Sequence, residues 1–152
     1  MGSGVTKTIM LVDDSPNDTQ LLLRTFAQVG ILNPVVTFDN ADDAMARLLD
    51  PGQTTPTLIL LDLKMPRTSG LSMLGKIKSH NALRQLIVIV LTTSSDLQDV
   101  RMAYELGANS FLTKPLNLDE FRTMISAFHN YWIVQNQPLP TLPGPDTNTP
   151  RT

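Results

Sequence analysis

Thr57-Leu58-Ile59-Leu60-Leu61-Asp62-Leu63-Lys64-Met65-Pro66 is the stretch that decides the fold. Its apolar run leads straight into a carboxylate, and Pro66 follows shortly after. A short apolar run without alternation is the pattern of a strand buried on both faces, as in a parallel sheet. Such a strand ends where it meets solvent, which puts Asp62 at its carboxyl end. In open α/β sheets, ligands bind in the crevice outside the carboxyl ends of the strands. Taken alone, Asp62 is explained well enough as a strand cap or the start of a turn. What matters is whether other residues converge on the same edge.

Upstream, Thr8-Ile9-Met10-Leu11-Val12 reads as a second buried strand ending in Asp13-Asp14. Ser15-Pro16-Asn17-Asp18 then reads as a helix start: a capping residue, proline in the first turn, and an acid behind it. Leu22, Phe26 and Val29 continue on one helix face, and Gly30 is the expected stop. Val35-Val36-Thr37-Phe38 is a short strand, and Asp39-Asn40 can cap a helix carrying Ala41, Ala44, Met45 and Leu48. Downstream, Leu71, Leu74 and Ile77 mark a short helix. Leu86-Ile87-Val88-Ile89-Val90-Leu91 is the strongest strand signal and ends in Thr92. Leu97, Val100, Ala103 and Tyr104 give a helix running to about Gly107. Ser110-Phe111-Leu112-Thr113 is a fifth strand ending in Lys114-Pro115. Asn117 can cap a last helix with the stripe Phe121, Ile125, Phe128, Trp132.

Strands alternating with helices in this way predict an α/β fold: a doubly wound, five-stranded parallel sheet with five helices on its two faces. The expected division is a flexible start over 1–6, one folded domain over 7–134, and a tail over 135–152. Five of the 11 prolines fall in that tail, which therefore reads as disordered or polyproline-II rather than as a packed module.

The chain has 152 residues and a net charge of −2, with no basic stripe, so nucleic acid is not the expected partner. There is no cysteine, in keeping with a reducing cytoplasm and against thiolate metal sites. No apolar run reaches the roughly 18 residues of a membrane span, and the N-terminus lacks signal-peptide character.

All five strands end in polar or ionisable residues on one edge: Asp13-Asp14, Asp39, Asp62, Thr92 and Lys114. Asp13, Asp14 and Asp62 repel one another unless a cation sits among them. An all-oxygen cluster suits a hard ion, Mg²⁺ more than Zn²⁺. Lys114 adds a positive charge and Thr92 a hydroxyl donor, and the group that best fits this set is a phosphoryl. Asp62, in mid-sheet, is the natural nucleophile, able to form an aspartyl phosphate. Each residue has a plainer explanation singly; their convergence favours the chemical one.

These residues resemble the response-regulator receiver domain of two-component signalling. The matching pieces are Val12-Asp13-Asp14-Ser15, Leu60-Leu61-Asp62-Leu63-Lys64-Met65-Pro66, Gly70, Leu91-Thr92-Thr93-Ser94, Gly107-Ala108-Asn109 and Lys114-Pro115, spread over roughly residues 7 to 134. The run from Tyr104 to Pro115 and the closing Tyr131-Trp132 look more like a single-domain subgroup paired with phytochrome-type or other sensor histidine kinases. The resemblance implies a flavodoxin-like receiver fold. It implies that Asp62 accepts a phosphoryl group from a kinase phosphohistidine. Asp13, Asp14, Asp62 and the backbone carbonyl of Lys64 would hold Mg²⁺. Thr92 and Lys114 would bind the phosphoryl oxygens, and Phe111 would be the aromatic switch. It also implies a cis Lys114–Pro115 bond in a tight turn. Phe111 lacks the hydroxyl of the tyrosine often found at its position, and Lys64 and Ser94 stand where the family varies and tunes phosphoryl loss.

Phosphorylation adds about two negative charges. Bonds that Thr92 and Lys114 make only to the modified site are what a population shift requires. The surface expected to move is the fourth helix, fifth strand and fifth helix. With only a short tail after Val134, output is expected through protein contacts: a downstream protein target or a histidine phosphotransfer protein. Tyr131 and Ile133 lie off the apolar stripe, which suggests a docking site or a homodimer through the last helix. Two other functions are to be weighed, an enzyme using much the same residues and an interaction module that keeps only the fold. A small-metabolite phosphatase working through an aspartyl phosphate would turn over a generic phosphate ester. A phosphorylation-independent interaction module would be indifferent to Mg²⁺ and phosphoryl donors.

Overall fold

Strand and helix alternate through the computed structural model, which describes residues 7–140. The strands are β1 (Ile9–Val12), β2 (Val35–Phe38), β3 (Leu58–Leu61), β4 (Ile87–Thr92) and β5 (Ser110–Thr113). The helices are α1 (Pro16–Val29), α2 (Ala41–Leu49), α3 (Gly70–Ser79), α4 (Leu97–Glu105) and α5 (Leu118–Phe128). The expected flexible start and the tail beyond residue 140 lie outside the described residues. Helix starts fall where side-chain oxygens can take up free backbone donors. Ser15 Oγ accepts from Asp18 N–H at 3.2 Å, Asn40 Oδ1 from Asp43 N–H at 2.7 Å, and Asn117 Oδ1 from Asp119 N–H at 2.8 Å. Gly30 ends α1 in the left-handed region with φ of 85°.

All strand pairs are parallel, in the order β2-β1-β3-β4-β5, the flavodoxin-like arrangement. β1, β3 and β4 are buried along their whole length, which is why they read as unbroken apolar runs. Alternate residues serve opposite faces. Met10, Val12, Ile59, Leu61, Val88 and Val90 join the core under α2, α3 and α4. Ile9, Leu11, Leu58, Leu60, Ile87 and Ile89 join the one under α1 and α5. Each fully buried aliphatic side chain contributes about 1.5–3 kcal/mol of burial. β2 and β5, at the edges, are only half-buried. No helix among the described residues is long and apolar enough to cross a membrane.

Three expectations are corrected. In α4 only Ala103 is buried, while Leu97 and Tyr104 are exposed, because this helix covers the half-buried edge of the sheet rather than its centre. The last helix does not keep its 3.6-residue period: α5 passes into a π-helical segment, His129–Gln135. The wider turn brings the residue five positions on to the same face, so Ile133 follows Phe128 into the core at 6% exposed and Trp132 is only half-buried. Finally, there is no cis peptide among the described residues, so Lys114–Pro115 is trans. The trans form of an X–Pro bond is already the lower by roughly 0.5–1 kcal/mol.

Candidate functional site

The register of the central strands assembles the site. Val12 pairs with Leu61, so the next residues, Asp13 and Asp62, leave the sheet side by side. Their N–H groups remain tied to it: Asp62 N–H donates to Val12 O and Asp13 N–H to Phe38 O, both at 3.0 Å. This is the place where strand order reverses, because β1 is followed by β2 on one side and paired with β3 on the other. Asp13 is 5% exposed and Asp62 9%. Asp13, Asp14 and Asp62 each offer a carboxylate oxygen, all within 4.8 Å of one another. Ser15 N–H donates to Asp13 Oδ1 at 2.9 Å and fixes its rotation. Exposed Lys64 donates its N–H to Asp62 Oδ1 at 3.4 Å. The segment after Asp62 lies directly on the start of α3, where Gly70 N–H donates to Leu63 O at 2.9 Å.

β4 and β5 bring the other groups. Thr92 is fully buried, and its Oγ1 accepts from Ser94 N–H at 3.4 Å. Lys114 N–H donates to Thr92 O at 2.7 Å, which locks the two strand ends together. Lys114 Nζ donates to Asp13 Oδ2 at 2.8 Å and to Asp18 Oδ2 at 3.1 Å. Pro115, behind it, is half-buried. Phe111 lies further back on β5, opposite Val90, half-buried against the core under α2, α3 and α4.

Burial raises the pKa of the Asp62 carboxyl, and Asp13 raises it further, against the opposing pull of Lys114, the Thr92 hydroxyl and the Lys64 N–H. Burial alone would lower the pKa of the Lys114 ammonium, but Asp13, Asp62 and Asp18 outweigh it and hold it above the ordinary lysine value. The site is short of positive charge: four carboxylates face one ammonium. The donors are all oxygen and sit within the spread of one coordination sphere plus a little. With Mg–O distances of about 2.1 Å, opposite ligands stand roughly 4.2 Å apart, so Mg²⁺ fits with a small closing movement or a bridging water.

The structure brings together Asp13, Asp14, Asp62, Thr92 and Lys114 as the sequence led one to expect, and leaves Phe111 behind the edge. Sequence reasoning missed Asp18 as the second partner of Lys114. Its only signal was an acid in the first turn of α1. It also missed Asp99, whose Oδ2 accepts from Ser94 Oγ at 2.6 Å and ties the Thr92 loop to α4. A cavity of about 160 Å³ borders Lys114 between α1 and α5, and one of about 220 Å³ opens beside Asp14 and Arg67.

Comparison with known proteins places this geometry. The family model described as the response regulator receiver domain matches residues 9–126. Response regulator Rcp1 from Synechocystis is 35% identical over 135 residues, covering 86% of this chain and 92% of the relative. "Probable methanogenesis regulatory protein FilR2" from Methanothrix harundinacea is 32% identical over 140 residues, covering 90% and 88%. Among solved structures, the Mn²⁺-bound form of Rcp1 superposes with a TM-score of 0.81 at 33% identity, covering 88% of this chain and 99% of that one. The phosphorylated cyanobacterial phytochrome response regulator RcpA also gives 0.81, at 31% identity and with the same coverage. With the family model matching most of its length and relatives above 30% identity covered nearly end to end, the chain belongs to the response regulator receiver domain family.

Proposed function

We propose that this chain is a phosphoacceptor of two-component signalling, in which Asp62 takes a phosphoryl group from the phosphohistidine of a sensor histidine kinase. The observation that carries the reading is the meeting of Asp13, Asp14 and Asp62 within 4.8 Å at the switch point, with Lys114 on the cluster. An oxygen of Asp62 would attack phosphorus while the N–P bond to the kinase histidine breaks, leaving the imidazole as the departing group. Asp13 and Asp14, with Asp62 and the backbone carbonyl of Lys64, would hold Mg²⁺. When bound, that ion supplies neutralising charge to the transferring oxygens. Lys114 offers its ammonium to the same oxygens, and Thr92 its hydroxyl.

The likeness to Rcp1 and to the phytochrome response regulator RcpA supports a phytochrome-type kinase as donor. The switch would run from Thr92 through Ser94 and Asp99 to α4, and from Lys114 and Phe111 through β5. Exposed Leu97, Met102 and Tyr104 on α4, with Tyr131 and Val134 beyond α5, offer apolar surface to a downstream protein, a histidine phosphotransfer protein or a second copy of the chain. The receiver unit would be 7–134, with the proline-rich remainder as a tail. Beryllofluoride, which mimics an acyl-bound phosphoryl group, tests the site without a kinase. With Mg²⁺, fluorine NMR should give a bound signal for the unmodified protein and none for Asp62→Asn. Equal binding by both would remove Asp62 from the role.

A further inference from the structure

Lys114 holds two carboxylates that differ in how much they need it. Asp13 Oδ2 lies 2.8 Å away on a side chain 4% exposed, and Asp18 Oδ2 lies 3.1 Å away on one 42% exposed. Asp13 belongs to the cluster with Asp14 and Asp62. Asp18 does not: it stands in the first turn of α1, with its N–H held by Ser15 Oγ at 3.2 Å. Its backbone is therefore held at the helix start, from which the carboxylate reaches Lys114. Among the described residues, Lys114 Nζ donates to Asp13 and Asp18 and not to Asp62. The cavity of about 160 Å³ that borders the pair, lined in part by Asp18, Leu22, Leu91, Lys114 and Phe121, leaves room along the lysine stem. Charge rather than close packing sets where the ammonium sits.

We propose that Asp18 is a positioning residue that draws Lys114 toward α1 while Asp62 is unmodified, so that the phosphoryl group must take Lys114 from it. This rests on the reading of Asp62 as phosphoacceptor. The arriving group adds about two negative charges. Asp13 lies in the cluster that would hold Mg²⁺, so it keeps a cation when Lys114 turns to the phosphoryl group. Asp18 lies outside that cluster and no ion takes the place of Lys114 there; its half-exposed carboxylate is left to water, so the Asp18 contact is the one given up. The pair then acts as a weak spring on the switch: it favours the unmodified state and raises the free energy of the modified one.

Asp18→Asn keeps the shape of the side chain and removes its charge. Beryllofluoride affinity in Mg²⁺, read by fluorine NMR, should rise roughly two- to fivefold, the range for a half-exposed ion pair. Asp18→Ala should move in the same direction. Before beryllofluoride is added, the Lys114 side-chain ammonium signal of Asp18→Asn should already lie part of the way to its bound position, which mere loosening of α1 would not produce. Unchanged or weaker affinity, or an unmoved Lys114 signal, overturns the role of Asp18 and leaves the phosphoacceptor reading standing. If the unmodified protein binds no beryllofluoride, that reading falls and takes this one with it.

Discussion

A Cβ built on Gly70 would stand 2.1 Å from the carbonyl oxygen of Asp62 and 2.6 Å from the Cα of Leu63. Both are backbone atoms of the segment that carries the reactive carboxylate, so neither can swing aside. Gly70→Ala should therefore cost roughly 1–3 kcal/mol or more, read as a lower urea midpoint at unchanged slope; an unchanged midpoint would mean α3 does not rest on that segment. Asp62 itself carries a cost. Burial first, then Asp13, raises its pKa above the ordinary 3.8, so the folded chain holds this proton more tightly than the unfolded one. Below the unfolded value Asp62 is neutral in both states. As pH rises through the folded value it ionises, and the ionised form works against the fold. In chelator at neutral pH, Asp62→Asn should thus melt at a higher temperature than the unmodified protein, with the gap narrowing as pH falls toward 3.8; a lower midpoint for the variant would contradict the sign. At this scale the sequence exposed what sits at strand ends. Asp13, Asp62, Thr92 and Lys114 follow from apolar runs stopping at polar residues. The Asp18–Lys114 pair and the fit of Gly70 under Asp62 join distant segments, and no local pattern announces them.

The π-helical end of α5 sets which late residues are structural. Lys7 Nζ donates to Ile133 O, and to Asn136 O at 3.3 Å, tying the segment to the chain just before β1. Ile133 is buried while its neighbour Val134 is 57% exposed. Ile133→Ala should cost roughly 2–5 kcal/mol in chemical denaturation and Val134→Ala less than about 0.5 kcal/mol. Equal costs would mean the widened turn is absent. Extending a 3.6-residue stripe past Phe128 puts Trp132 inward and Ile133 outward, because periodicity carries no information about an inserted turn. The same holds for α4, where the pattern gives a helix but not which part of the sheet it covers. The central strands were legible because burial on both faces leaves no polar position in them. The caps were legible because only a few side chains can serve as Ser15, Asn40 and Asn117 do.

For the molecule as a whole, alternation of strand and helix dictated a parallel sheet, while the order β2-β1-β3-β4-β5 depends on where each crossover lands, which no single segment records. That order puts Asp13 beside Asp62 and so concentrates four carboxylates around one ammonium. Mg²⁺ should then stabilise the fold by mass action, by about 2.7 kcal/mol at a hundredfold excess over its Kd. For a chain of this size that is a rise in thermal midpoint of roughly 5–10 °C, and it should be largely lost in Asp13→Asn. An equal rise in both would place the ion elsewhere. The central claim, that this edge of the sheet exists to accept a phosphoryl group on Asp62, is tested most directly by intact-protein mass spectrometry after incubation with acetyl phosphate and Mg²⁺. The account predicts a gain of about 80 Da, one phosphoryl group, that disappears in chelator and in Asp62→Asn. The same gain in Asp62→Asn, or none in an unmodified protein that also fails to bind beryllofluoride, would contradict it.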